Sequence, residues 1–263
     1  MNADGADNNK RVDDMNILKI AAMLSAAIPA TMAISASAAG SAAAEISADG
    51  EAPAVTNWTE NFGETPLGSF IVGNPDAPIK LVEYASYTCG HCATFESNDA
   101  PILKAEKVAN GSVSFEIRSL VRDPIDLIMA SLARCGGKDK FFGNHQFLMA
   151  KQREFSGRAA QLTDPTIDLL RKQDWNGFLV AAYAEMKLGE LMQEQSITDT
   201  QAKICLSDKA ATENLLAVTD DAGPKYNIQG TPSFLINDKL SDAHNYLSLK
   251  PLLAAPTIEQ EGQ

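Results

Sequence analysis

Two cysteines are the residues of this chain best suited to chemistry. Cys89 and Cys92 stand in EYASYTCGHCATF, residues 83–95, with Gly90 and His91 between them. A C-x-x-C pair can clip a metal, staple a loop, or cycle between dithiol and disulfide. A zinc site asks for two further ligands at local spacing. Cys135 and Cys205 are isolated in the sequence, and His145 and His244 have no ligand partner three to five residues away. The pair therefore reads as redox-active, with no metal and no cofactor expected. Cu(I) capture by the same two thiols stays open as the binding alternative.

The flanking residues give that chemistry a physical basis. IKLVEYA (79–85) is a β-branched and aromatic run, and the residues after Cys89 turn helical. Cys89 is thus expected at a helix N-terminus, where unpaired N–H groups and the helix dipole favour a thiolate. The imidazolium of His91 can add to that. A thiol so placed drops from about 8.5 to roughly 3.5–7, and each unit is worth about 1.4 kcal/mol. Stabilising the thiolate favours the reduced form, which makes the disulfide a better oxidant. Cys92, one turn further in, is expected to be shielded and to act as the resolving thiol.

Strands and helices must hold that pair in place. SFIVG (69–73) reads as a short strand, GNPDAP (73–78) as a turn and IKLVEYA as a central strand. A helix follows from His91 to about Val108, with a kink or break at Pro101. Asn110-Gly111 ends it, and SVSFEIRSLV (112–121) alternates as the next strand. A helical block is predicted over 123–223. Asp164-Pro165 serves as its cap and first-turn proline, Asp174 caps the segment that Gly189 ends, Thr198 and Gln201 form a capping box, and Ser207 caps the last helix. KYNIQGTPSFLIND (225–238) returns to β chemistry, and SLKPLLAA (248–255) reads as a final helix. The fold class is α/β, split as 65–122 and 224–258 around the helical insertion.

The remainder of the chain bears on its compartment. Residues 15–38 carry Lys19, an apolar run from Ile20 to about Ile34 and an Ala36-Ser37-Ala38 cleavage site, the plan of a secretory signal peptide. Residues 1–14 read as an upstream extension, with Met15 the natural start. Residues 39–64 read as a linker or N-terminal arm. The expected location is periplasmic, with the signal peptide cleaved. In an oxidising compartment Cys135 and Cys205, both in the helical block, are expected to form a structural disulfide; two free buried cysteines are the alternative. The net charge is −12 and no basic stripe occurs, which argues against nucleic acid.

C-G-H-C after a strand, followed by Gly230-Thr231-Pro232-Ser233-Phe234, resembles the thioredoxin superfamily. GNPDAPIKLVEYASYTCGHCATF, GTPSFLIN and the helical block between them resemble its DsbA-like branch of thiol–disulfide oxidoreductases over about residues 65–256. The resemblance implies a thioredoxin fold with an inserted helical subdomain. It makes Cys89 the attacking cysteine and Cys92 the buried one. It makes Pro232 a cis proline that sets the Thr231 backbone beside the disulfide, where substrate chain pairs. Glu83 matches the acidic residue beneath the buried cysteine, positioned to relay its proton. Gly90 departs from the proline of the DsbA type and is closer to protein disulfide isomerase, so a potential on the order of −120 to −200 mV is expected.

The function so read is donation of the Cys89–Cys92 disulfide to reduced or unfolded exported proteins, by a monomer that a membrane redox partner reoxidises. An isomerase or reductase of the same fold, or a copper- or peptide-binding module, is the alternative. Of the residues left over, Arg118 is a candidate partner for Glu83. His145 and His244 read as surface or loop residues, and Phe141, Phe142, Phe147 and Met149 as core.

Overall fold

The computed structural model describes residues 56–254. The signal-peptide reading, most of the predicted arm and the end of the last expected helix lie outside the described residues. The sheet begins with β1 (Phe62–Glu64), β2 (Phe70–Gly73) and β3 (Ile79–Ala85). α1 (Gly90–Asn98) and α2 (Ala100–Leu103) follow, then one π-helical turn, Lys104–Val108, and β4 (Val113–Ser119). The helical insertion holds α3 (Pro124–Ala133), α4 (Lys138–Ala150), α5 (Gln152–Ala159) and α6 (Asp164–Arg171). It continues through α7 (Trp175–Glu185), α8 (Leu188–Gln193), α9 (Asp199–Ser207) and α10 (Lys209–Tyr226). The chain then returns to the sheet as β5 (Ser233–Ile236) and β6 (Lys239–Leu240), followed by α11 (Tyr246–Leu249).

Among the described residues the strands form one mixed sheet in the order β1-β2-β4-β3-β5-β6. β3 and β4 pair in parallel and the other neighbours are antiparallel. β3 is central and covered on both faces, which is why it reads as a nearly unbroken apolar run. Its side chains alternate. Val82 and Tyr84 pack with Leu235 against Val218 and Ala222 of α10. Ile79, Leu81 and Ala85 join the larger core with Cys92 and Phe95 of α1. Alternation puts Glu83 on that second face, a carboxyl among hydrocarbon.

Several boundaries depart from the sequence reading. β1 falls inside the span read as an arm, because three residues paired to β2 leave too short a pattern to see. The helix after the cysteines breaks at Asp99, since Pro101 lacks an N–H and clashes with the preceding turn. Thr163 is the N-cap of α6 and Asp208 that of α10, each one residue from the expected cap. Asp174 and the Thr198–Gln201 capping box are as expected. Gly189 lies within α8 and does not end α7. α10 runs past residue 223 through Pro224, and Asn227, in the left-handed region at φ 56°, ends it. The last helix stops at Leu249, with Lys250 still in helical geometry as its C-cap, because Pro251 has no N–H to carry the hydrogen-bond ladder further.

Candidate active site

Cys89 is the N-cap residue of α1, with extended backbone and no side chain capping the helix. The helix therefore offers its first N–H groups to the Cys89 sulfur. Cys89 is only 5 % exposed and Cys92, in the first turn, is fully buried; both are free thiols here. The Cys89 thiol is pulled down to about 4. A hydrogen bond from the Cys92 thiol does most of this. Partial burial opposes it, and Thr231 and the backbone N–H groups of Cys92 and His91 assist. What His91 gives the sulfur is thus its backbone N–H; its exposed side chain lines the neighbouring cleft. The Cys92 thiol is pushed far up by its bond to Cys89, by burial and by Glu83. The two sulfurs are therefore unequal, one an anion and the other a proton donor to it.

The turn that delivers Cys89 is clamped from the helical insertion. Asp126 of α3 is fully buried and accepts from Ser86 Oγ at 2.5 Å, from the Tyr87 N–H at 2.8 Å and from the Arg122 N–H at 3.1 Å. Burial nonetheless pushes its carboxyl up to about 6. Thr88 Oγ1 donates to Asp123 at 2.7 Å. The Gln152 side-chain amide donates to the Tyr87 and Cys89 carbonyls at 2.7 and 2.9 Å. None of these residues was singled out from the sequence. They come from 35 to 65 positions away and only tertiary packing unites them with the turn.

The second wall comes from the end of the insertion. The Thr231–Pro232 peptide is cis. The Cys89 sulfur lies 3.2 Å from the Thr231 carbonyl oxygen, to which the thiol form donates. The Thr231 hydroxyl is buried with no other hydrogen-bond partner, and it is the group of Thr231 that assists the Cys89 thiolate. Beside this contact opens a cleft of about 580 Å³ lined by His91, Gly230, Thr231, Pro232, Ser233 and His244, among others. His244 is exposed there.

Beneath the pair lies a buried carboxyl cluster. Glu83 is pushed well up, first by burial, then by the charge of Glu96, with the Cys89 thiolate adding. One of its oxygens is buried without a hydrogen-bond partner. Glu96 sits four residues after Cys92, so the two share a face of α1; that spacing was the signal available in the sequence. Burial opposes its ionisation, but His145 and Lys104 outweigh burial and hold it below the usual carboxylate range. Lys104 Nζ donates to Glu96 Oε1 at 3.1 Å.

Arg118 does not pair with Glu83. It lies on β4 in register with Tyr84, on the opposite face, where it forks onto Glu116 at 2.7 and 3.1 Å. His145 is not on the surface: it is buried in α4 against Tyr87. Phe141, Phe142 and Met149 are buried as read, and Phe147 is half-buried. Cys135, just past α3, is bonded to Cys205 of α9 across 70 residues.

The thioredoxin family model matches residues 65–255. A solved structure from Novosphingobium aromaticivorans, named a protein-disulfide isomerase, is 33% identical with a TM-score of 0.63, over 70% of this chain and 94% of that one. Wolbachia pipientis α-DsbA1 shares the fold at 21% identity and a TM-score of 0.54, over 72% of this chain and 90% of its own. A Rickettsia bellii protein assigned as a protein-disulfide oxidoreductase is 28% identical over 180 residues, 68% of this chain and 61% of that protein, so the match spans less than two thirds of the curated relative. The chain belongs to the thioredoxin family, in its DsbA-like form with a helical insertion.

Proposed function

We propose that the protein is an exported thiol–disulfide oxidoreductase that donates a Cys89–Cys92 disulfide to reduced substrate proteins. The observation that carries this is the inequality of the two sulfurs: Cys89 held as a thiolate at the α1 N-terminus, Cys92 sealed and protonated. A thiolate that is a good leaving group makes its disulfide easy to reduce.

The exchange follows from that geometry. A substrate thiolate attacks the Cys89 sulfur of the disulfide. The bond to Cys92 breaks, its electron pair goes to the Cys92 sulfur, and the protonated Glu83 carboxyl supplies a proton there. A second substrate thiolate attacks the substrate sulfur of the mixed disulfide and expels Cys89 as a thiolate. The substrate loses two electrons and the enzyme gains them as a dithiol. Substrate backbone reaches the sulfur beside Thr231 and Pro232, in the cleft that His91 borders. Export, a monomeric state and reoxidation by a membrane oxidase complete the reading, on the signal-peptide pattern and the family resemblance.

The test is oxidative refolding of a reduced protein by the oxidised enzyme and by Cys89→Ser. The variant should fall to the uncatalysed rate; an unchanged rate would overturn the reading. The reverse flow, as isomerase or reductase, is favoured by the Gly90-His91 dipeptide and by the 33% identical protein-disulfide isomerase. A potential below about −250 mV against glutathione would select that direction.

A further inference from the structure

The exchange just described leaves one buried group unused, the imidazole of His145. It is 1 % exposed, one turn along α4 from Phe141, whose ring stacks on it at 5.6 Å. Its Nδ1 is 2.8 Å from the Tyr87 hydroxyl. Its Nε2 is 3.5 Å from Glu96 Oε2, an oxygen with no hydrogen-bond partner of its own. Tyr87 belongs to the turn that delivers Cys89, and Glu96 to the helix that carries Cys92. His145 therefore touches both halves of the redox site from the helical insertion, and it makes no hydrogen bond to either sulfur.

The chemistry of the contacts fixes the ring. Tyr87 is fully buried and its phenol is pushed well above the usual range by burial, with Asp126 and Glu96 adding to the effect, so it keeps its proton. A phenol that donates to Nδ1 leaves the ring proton on Nε2. The opposite tautomer would turn a bare nitrogen lone pair toward the Glu96 carboxylate. The other charged groups around this point are Lys104, past α2, on the far oxygen of Glu96; Glu83 of β3, which feels the Glu96 charge; and Asp126 and Arg134, on and just after α3, which act on Tyr87.

We propose that His145, keyed by Tyr87, is a positioning residue for proton exchange at Cys92: its Nε2–H keeps Glu96 the ionised member of the Glu83–Glu96 pair and so leaves the exchangeable proton on Glu83. Two buried carboxyls that interact do not both ionise freely; whichever has the better partners takes the charge. Glu96 has Lys104 bonded to one oxygen and the His145 ring 3.5 Å from the other. Among the described residues Glu83 has neither an ion pair nor a side-chain hydrogen bond, and one of its oxygens is sealed. Removing His145 weakens one side of that competition and shifts the proton toward Glu96. The inference rests on the oxidoreductase reading for its purpose, though the proton placement can be measured without turnover.

The experiment is an infrared titration of the oxidised protein, in which the thiols do not titrate. The Glu83 carboxyl band is assigned by its loss in Glu83→Gln. His145→Leu should lower the Glu83 midpoint by about one pH unit. In a Glu96→Gln background the same substitution should leave it unmoved. An unmoved midpoint in the single variant, or an equal shift in both backgrounds, would overturn the proposal; a purely structural histidine would change the melting temperature alone. Should His145→Leu fail to fold, the wild-type protein decides. Nitrogen-15 couplings of the His145 ring should report the Nε2–H tautomer, and the Nδ1–H tautomer would contradict the proposal. Wild-type protein that gives the expected shifts yet fails to oxidise thiols would sink the oxidoreductase reading and leave the proton placement standing.

Discussion

The sulfur of Cys89 and the carbonyl oxygen of Thr231 lie 3.2 Å apart, although 142 residues separate them in the chain. That contact closes the redox site. It joins the start of α1 to the loop before β5 across the whole helical insertion.

The same sulfur owes most of its acidity to Cys92, whose thiol donates to it. Cys92→Ala removes that donor and should raise the Cys89 midpoint by at least about one unit. Cys92→Ser keeps an O–H and should raise it less. Both variants keep the attacking sulfur and lose the resolving one. Given a substrate that carries a disulfide, the Cys89 thiolate of each should attack it, one substrate sulfur leaving as thiolate, and the mixed disulfide should accumulate on non-reducing gels; Cys89→Ser should accumulate none.

Glu83→Gln should slow protonation and deprotonation of Cys92. Mixed-disulfide formation, the step in which Cys92 leaves and takes the Glu83 proton, should fall by about 10²-fold, read by rapid-quench kinetics. Stability should move the other way. A carboxyl raised in the folded state destabilises the fold as pH rises from its unfolded value through its folded one. Glu83 is raised by burial, so the variant should melt higher than wild type, and the gain should grow with pH. A variant that melts lower at alkaline pH would contradict the burial argument.

Asp126→Asn tests the clamp on the turn. Asp126 accepts three hydrogen bonds, one oxygen taking two of them. An amide turns one acceptor into a donor and leaves a buried partner unsatisfied, at a cost of about 1–3 kcal/mol in chemical denaturation. The wild-type carboxyl is raised to about 6. Its contribution therefore makes the wild-type fold less stable as pH rises through 4 to 6, a slope the variant should lack.

The Cys135–Cys205 bond closes 70 residues between α3 and α9. Cross-linking a loop of that length stabilises by about 4 kcal/mol in the chain-entropy model. Replacing both cysteines with alanine should lower the denaturation midpoint accordingly. Alkylation without reductant, read by mass, should show no free thiol at either position.

The site was legible in the sequence where local chemistry writes it. C-G-H-C at the end of IKLVEYA marks a strand passing into a helix N-terminus, and Glu83 falls on the α1 face of β3 by simple alternation. Glu96 was also legible, four residues beyond Cys92, but a glutamate on a helix reads as a surface residue by default. His145, Asp126 and Gln152 carry no such mark. An isolated histidine in an amphipathic helix looks solvated until the fold brings Tyr87 and Glu96 to it. The β1 strand was hidden for a different reason: three residues with one edge partner have no periodicity to read.

The central claim is that the Cys89 sulfur is an anion at neutral pH, and absorbance of the reduced protein near 240 nm measures it directly. The titration, with Cys89→Ser as blank, should show thiolate appearing with a midpoint of about 4. A midpoint in the ordinary thiol range, near 8.5, would mean that neither Cys92 nor the α1 N-terminus stabilises the charge, and the oxidant mechanism would fail with it.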